Sequence, residues 1–262
     1  MTANFPEKRA ILLVGHGSLR SASGASMVRL AARLREQGVA SVVEAGFFNF
    51  SRPTLEDALL KCLEQGATQI SVQPYFLIAG HYVADDLPRQ LRTIMQPFPE
   101  VDVSIAAPFL DHPAVVELVL TRIAEVDPAL GRQPSHSSEL LLMAHGTPHP
   151  TANAPIFRVA QQVAARTHYA AVTVCFMECN QPDIPTAMAQ AADRGASQIV
   201  AIPYFLHMGR HTRDDLPRFV QTAQRQHPAC TILLGPHLGY DVRLVDVMVT
   251  RLAAATILTP AA

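Results

Sequence analysis

The chain has 262 residues, with 21 basic and 22 acidic side chains for a net charge of −1; it is 49% apolar, 16% charged, and has a mean hydropathy of +0.16. That balance excludes a disordered chain and leaves no electrostatic footprint for nucleic acid, and no apolar run approaches the length of a membrane span. The opening MTANFPEKRAILLVGHGS holds too short an apolar run for a signal-peptide core, so a cytoplasmic protein is expected. Four cysteines, Cys62, Cys175, Cys179 and Cys230, form no C-x-x-C pair and read as free thiols.

Taken in order, Ala10 to Val14 reads as a buried strand, and Ala25 to Gln37 as a helix with Met27, Leu30, Ala31 and Leu34 on one face. Ser41 to Phe48 is the second strand, Thr54 to Gln65 a helix ended by Gly66, and Gln69 to Phe76 the third strand. Asp86 to Met95 is helical, with Pro88 tolerated in the first turn, and Val101 to Ala106 is a fourth strand. The polar stretch Glu125 to Glu139 has a linker's composition. Beyond it the plan repeats, with strands at Leu140 to Met143, Ala171 to Met177, Gln198 to Phe205 and Thr231 to Leu234.

The repetition is literal. Ile11 to Pro88 returns as Leu140 to Pro217 without a gap, 129 positions on, matching GHGS to AHGT and PYFLIAGHYVADDLPR to PYFLHMGRHTRDDLPR. Short strands alternating with helices imply an α/β fold: two tandem lobes, each with a roughly four-stranded parallel sheet flanked by helices, and an active site in the cleft between them. The expected division is 1–124 for the first lobe, 125–139 for the linker and 140–262 for the second lobe. Because two fused lobes already supply what a one-lobe dimer would build, a monomer is expected.

In open parallel sheets, ligands collect at the carboxyl ends of the strands. His16 and His145 stand there, each followed by glycine. At 33 positions after each histidine come Asn49 and Glu178, and at 66 come Tyr82 and His211. Only the second copy fills all three strand ends with metal-ligand types, and two imidazoles with one carboxylate suit a divalent transition metal. Glu178 lies between Met177 and Cys179 in an apolar stretch, where burial would demand a partner. His81, His207, Arg210 and Arg213 are candidates for the substrate, with His149 and His237 as further cleft residues. The paired Asp85-Asp86 and Asp214-Asp215, each ahead of Leu-Pro, read as helix N-caps.

The strand-end HGS, the F-x-E-x-x-x-P run at Phe176, Glu178 and Pro182, and the PYFL-x-x-G-R-H-x-x-x-D-L-P segment from Pro203 to Pro217 together resemble the class II tetrapyrrole chelatases, in particular the long sirohydrochlorin cobaltochelatases and ferrochelatases. The resemblance covers nearly the whole chain. It implies a lyase that inserts Co²⁺ or Fe²⁺ into sirohydrochlorin on the path to cobalamin or sirohaem, with the metal as a substrate and no organic cofactor. It further implies metal binding and catalysis by His145, His211 and Glu178. Asn49 and Tyr82 depart from the pattern, leaving His16 as a substrate-facing remnant. A non-enzymatic metal or tetrapyrrole carrier on the same scaffold is the alternative.

Overall fold

The computed structural model describes residues 8–17, 24–132 and 137–258. The first copy forms β1 (Arg9–Gly15), α1 (Ala25–Glu36), β2 (Val42–Phe47), α2 (Leu55–Glu64), β3 (Gln69–Pro74), α3 (Leu87–Met95), β4 (Asp102–Ile105) and α4 (Pro113–Ala124). The second forms β5 (Ser138–Ala144), α5 (Ala154–Ala164), β6 (Ala171–Phe176), α6 (Ile184–Asp193), β7 (Gln198–Pro203), α7 (Leu216–Gln226), β8 (Thr231–Leu234), α8 (Arg243–Ala253) and a short β9 (Thr256–Ile257). A π-helical turn precedes α3 (Tyr82–Asp86) and α7 (His211–Asp215), an element the periodicity does not announce.

Two sheets result, in the orders β2-β1-β3-β4-β9 and β6-β5-β7-β8, parallel throughout except for β9. β1 and β5, each with a strand on either side, are buried on both faces from Ala10 to Gly15 and from Ser138 to Ala144 because helices cover each side. On one face of the first sheet, Leu12 and Val14 pack with Leu55, Leu59 and Leu87; in the second, Leu141 and Met143 pack with Ile184, Met188 and Leu216. β3 and β7 end at Pro74 and Pro203, two residues short of the expected ends; the Tyr75 and Tyr204 amides just beyond still donate to the Val14 and Met143 carbonyls (2.8 Å each).

The units of packing are offset from the repeat. One comprises residues 1–109 with 242–262, the other 110–241, so the division at 1–124, 125–139 and 140–262 describes the sequence copies and not the compact units. Helix α4, from the first copy, packs on α5 and β7; helix α8, from the second, packs on α1 and β3. The arginines at equivalent places mark this exchange. Arg122 of α4 donates to the Leu238 carbonyl (3.1 and 2.8 Å), and Arg251 of α8 donates to the Phe109 carbonyl (2.9 Å). The fifth strand of the first sheet follows from the exchange: α8 delivers the chain to β4, where β9 pairs antiparallel, Ser104 with Ile257.

Residues 133–136 of the expected linker lie outside the described residues; 125–132 and 137–139 are more structured than their composition suggests. Asp127 is buried and accepts hydrogen bonds from the Ala129 and Gly131 amides and the Tyr169 hydroxyl. Ser138 and Glu139 already belong to β5, where the buried Glu139 carboxylate takes two hydrogen bonds from Arg194.

Candidate metal site

The parallel ladder runs past the end of β5 and carries the site with it. The Met177 amide donates to the Ala144 carbonyl (2.9 Å) and the Glu178 amide to the His145 carbonyl (3.0 Å), so the backbone itself sets the glutamate beside the histidine. Gly146 makes this approach possible. Its φ is +90°, and a Cβ there would lie 2.0 Å from the Glu178 carbonyl oxygen. The His-Gly pair is thus a contact requirement between two strand ends, in addition to a turn.

From the other neighbour of β5, the chain leaves β7 and enters the π-helical turn whose first residue is His211. The rings of His145 and His211 stand edge to face with centroids 5.3 Å apart. One ligand atom from each of His145, Glu178 and His211 lies within 4.8 Å of the other two. Metal–ligand bonds of about 2.1 Å put ligand atoms at most about 4.2 Å apart, so closing a set already within 4.8 Å needs shifts under about 1 Å. His145 Nδ1 contacts the Gly146 carbonyl (3.3 Å) and His211 Nδ1 the Asp215 carboxylate (3.0 Å), leaving Nε2 of each ring as the donor toward a metal. Glu178 is exposed, so the burial cost expected from its apolar neighbours does not arise: the strand has ended and the side chain points to water.

The same construction in the first copy holds different chemistry. Asn49 donates its amide to the His16 carbonyl (3.0 Å) and Gly17 has φ +84°, repeating the backbone. The Tyr82 ring then meets His16 edge on at 4.6 Å and lies near Phe48 (5.7 Å) and Phe76 (6.4 Å), while Phe50 approaches His16 at 6.2 Å. An aromatic group fills the place where the second copy gathers ligands.

The remaining candidates lie outside the His145, Glu178 and His211 set. His81 is exposed and faces its own turn, Nδ1 at 3.0 Å from Asp85 and Nε2 at 3.4 Å from Asp86. His207 is half-buried and outside the ligand cluster. Arg210 is exposed at the start of the turn, and Arg213 donates to its neighbour Asp214 at 3.0 Å. His237 lies in the loop after β8, where burial and the Arg122 guanidinium hold its imidazole below the usual histidine range. All four cysteines are free thiols; burial pushes Cys62 up to about 12 and Cys175 higher still, so neither presents a thiolate.

Asp86 and Asp215 do not cap their helices; their carboxylates receive Arg89 and Arg218 and face His81 and His211 instead, His211 and Asp215 being the first and last residues of one π turn and His81 the residue that precedes the other. Asn180, which sequence reasoning passed over, accepts from the Thr147 amide (2.8 Å) and the Asn153 side chain (3.0 Å), tying the Glu178 loop to the turn after His145. Its only signal was a position two residues beyond Glu178.

Against known proteins, the CbiX family model matches residues 10–126 and again 139–255. The chain belongs to the CbiX family. The two matches are the two copies of the repeat. Among relatives, the sirohydrochlorin ferrochelatase of Priestia megaterium is 24% identical over 242 residues, covering 91% of this chain and 87% of that protein. The sirohydrochlorin cobaltochelatase of Methanopyrus kandleri is 31% identical over 144 residues, 47% of this chain and 99% of its own length. Among solved structures, SirB from Bacillus subtilis with Fe3+ superposes with a TM-score of 0.81 at 23% identity, covering 94% of each chain. SirB from Bacillus subtilis subspecies spizizenii in complex with cobalt gives 0.79 at 22% identity, again over 94% of each chain. The two-sheet α/β architecture is therefore the chelatase fold. The two copies of this chain are uneven: one gathers two histidines and a glutamate within 4.8 Å and the other an aromatic cluster.

Proposed function

We propose that this protein inserts a divalent metal, cobalt or iron, into sirohydrochlorin, and that the second copy does the work. The relatives named sirohydrochlorin ferrochelatase and cobaltochelatase supply the reaction. The assignment to the second copy rests on one observation: His145, Glu178 and His211 bring a ligand atom each within 4.8 Å, whereas His16 meets the Tyr82 ring.

The chemistry follows from the donor set. Two neutral imidazoles and one carboxylate hold a divalent ion with a residual charge of +1 and leave coordination positions open to pyrrole nitrogens. Insertion releases two pyrrole protons for each metal ion, and the macrocycle dianion takes over the charge. Glu178, exposed and next to the metal position, accepts one of those protons as it lets go of the metal; the other passes to water. Arg210 and Arg213 serve as partners for substrate carboxylates, with Arg213 exchanging its exposed and weak contact with Asp214 for the ligand. His16, His81 and His207 face the substrate in this scheme. No helix among the described residues is long and apolar enough to cross a membrane; a monomer acting in the cytoplasm is part of the proposal.

Absorption spectroscopy of sirohydrochlorin with Co²⁺ or Fe²⁺ tests it. His145→Ala, His211→Ala and Glu178→Ala are each expected to lose most of the protein-dependent insertion rate, and His16→Ala to keep more of it than any of them. Loss of turnover in His16→Ala with retention in His145→Ala and His211→Ala would reverse the choice of copy. Binding of both substrates by wild type without acceleration would make the protein a carrier.

A further inference from the structure

The π-helical turn before α7 carries a carboxylate that the metal-site reading leaves unused. Asp215 is 9% exposed, and its two oxygens are separately engaged: Oδ2 lies 3.0 Å from His211 Nδ1, and Oδ1 accepts from Arg218 Nη2 at 3.3 Å. It makes no capping hydrogen bond to the backbone of α7. An ionised carboxylate only accepts hydrogen bonds, so the proton of the neutral His211 ring must reside on Nδ1 and the lone pair on Nε2.

We propose that Asp215 is a positioning residue for metal handling: it fixes the tautomer and aim of His211 and so sets how tightly the site holds its metal. The proposal rests on His211 being a ligand. Arg218 matters because it neutralises a carboxylate removed from water and holds Oδ1, leaving Oδ2 for the imidazole. The two imidazoles are held unequally as a result. His145 leans on a peptide carbonyl at 3.3 Å, whereas His211 is anchored to a carboxylate at 3.0 Å and is the more firmly oriented ring.

The first copy separates this role from a structural one. It retains the acid and the arginine as Asp86 and Arg89, but Tyr82 stands where the ligand would be. There the carboxylate reaches a different histidine, His81, from the preceding position, through Nε2 and at the longer distance of 3.4 Å. Only in the second copy does the acid point at the nitrogen opposite a metal donor.

The test combines Co²⁺ titration calorimetry on the full chain with imidazole ¹⁵N shifts of histidine-labelled, metal-free protein, for wild type, Asp215→Ala, Asp215→Asn and His211→Ala. Wild type is expected to show His211 protonated on Nδ1. Asp215→Ala is expected to show mixed tautomers and a Co²⁺ affinity about 10–100-fold lower, and Asp215→Asn a smaller loss because its amide oxygen still accepts. A wild-type His211 protonated on Nε2 overturns the proposal, as does wild-type affinity in Asp215→Ala when His211→Ala has lost binding. Unchanged binding in His211→Ala overturns the metal-site reading itself. Should Asp215→Ala fail to fold, the wild-type tautomer and the affinity of Asp215→Asn decide, unchanged affinity in the latter counting against.

Discussion

The glycine after each strand-end histidine offers a matched pair of perturbations. In Gly146→Ala the new Cβ would lie 2.0 Å from the Glu178 carbonyl oxygen and 2.9 Å from Asn180 Oδ1, at φ +90°. Real contacts do not fall below 3.0 Å, so the Glu178 backbone must retreat by about 1 Å. That retreat strains the Glu178 amide to His145 carbonyl bond, now 3.0 Å, which sets the glutamate beside the histidine. Gly17→Ala makes the same injury in the first copy: φ +84°, with the Cβ 1.7 Å from the Asn49 carbonyl oxygen. A non-glycine residue held in such a conformation costs about 1–3 kcal/mol, and both variants are expected to lose that much in urea unfolding. Misplacing a catalytic group by about 1 Å costs about 100-fold, a penalty that only Gly146→Ala should show in insertion rate, with a parallel fall in Co²⁺ affinity. Calorimetry and the absorption assay on both variants decide. Wild-type Co²⁺ binding by Gly146→Ala, or an equal loss in Gly17→Ala, refutes the reasoning.

Because the two copies share their strand-end backbone, Asn49→Glu combined with Tyr82→His should raise Co²⁺ stoichiometry from one to two per chain; an unchanged stoichiometry shows that the aromatic neighbours forbid the site. Ending the chain at Asp241 removes α8, whose Leu244, Val245, Val247 and Met248 are at most 1% exposed. Burial of four such side chains contributes about 6–12 kcal/mol, so hydrogen exchange should show protection lost in β1–β4 and retained in β5–β8, the reverse of what a contiguous second lobe predicts. His237 has a folded pKa below its ordinary 6.5. The stability it contributes is present above that value and lost as pH falls through the folded one. His237→Phe, which installs the first copy's Phe109, should therefore narrow the fall in Tm between pH 7 and pH 5; an identical pH profile for the two proteins contradicts this.

Much of the molecule is local and was legible. Strand and helix positions follow from apolar spacing, and the gap-free repeat sets His145, Glu178 and His211 against His16, Asn49 and Tyr82; His145 and Glu178 follow strand ends, whereas His211 opens the π turn beyond β7. The exceptions are choices between partners that local pattern cannot rank. Asp215 had a backbone end to cap and a histidine four residues earlier, and the π turn decided for the histidine. Glu178 looked buried from its neighbours, yet it stands past the last strand residue, in water.

The exchange of α4 and α8 is the clearest case of something decided only in three dimensions. Because the copies are alike, an arginine at 122 or 251 and a carbonyl after β4 or β8 satisfy each other in either pairing, and the sequence carries no local preference between them. By itself the sequence determined the repeat, the elements and the uneven distribution of metal-ligand types between the copies, since these depend on residue identity and spacing alone. Tertiary packing decided which helix covers which sheet and that His145, Glu178 and His211 come together, because each depends on distances between segments far apart in the chain.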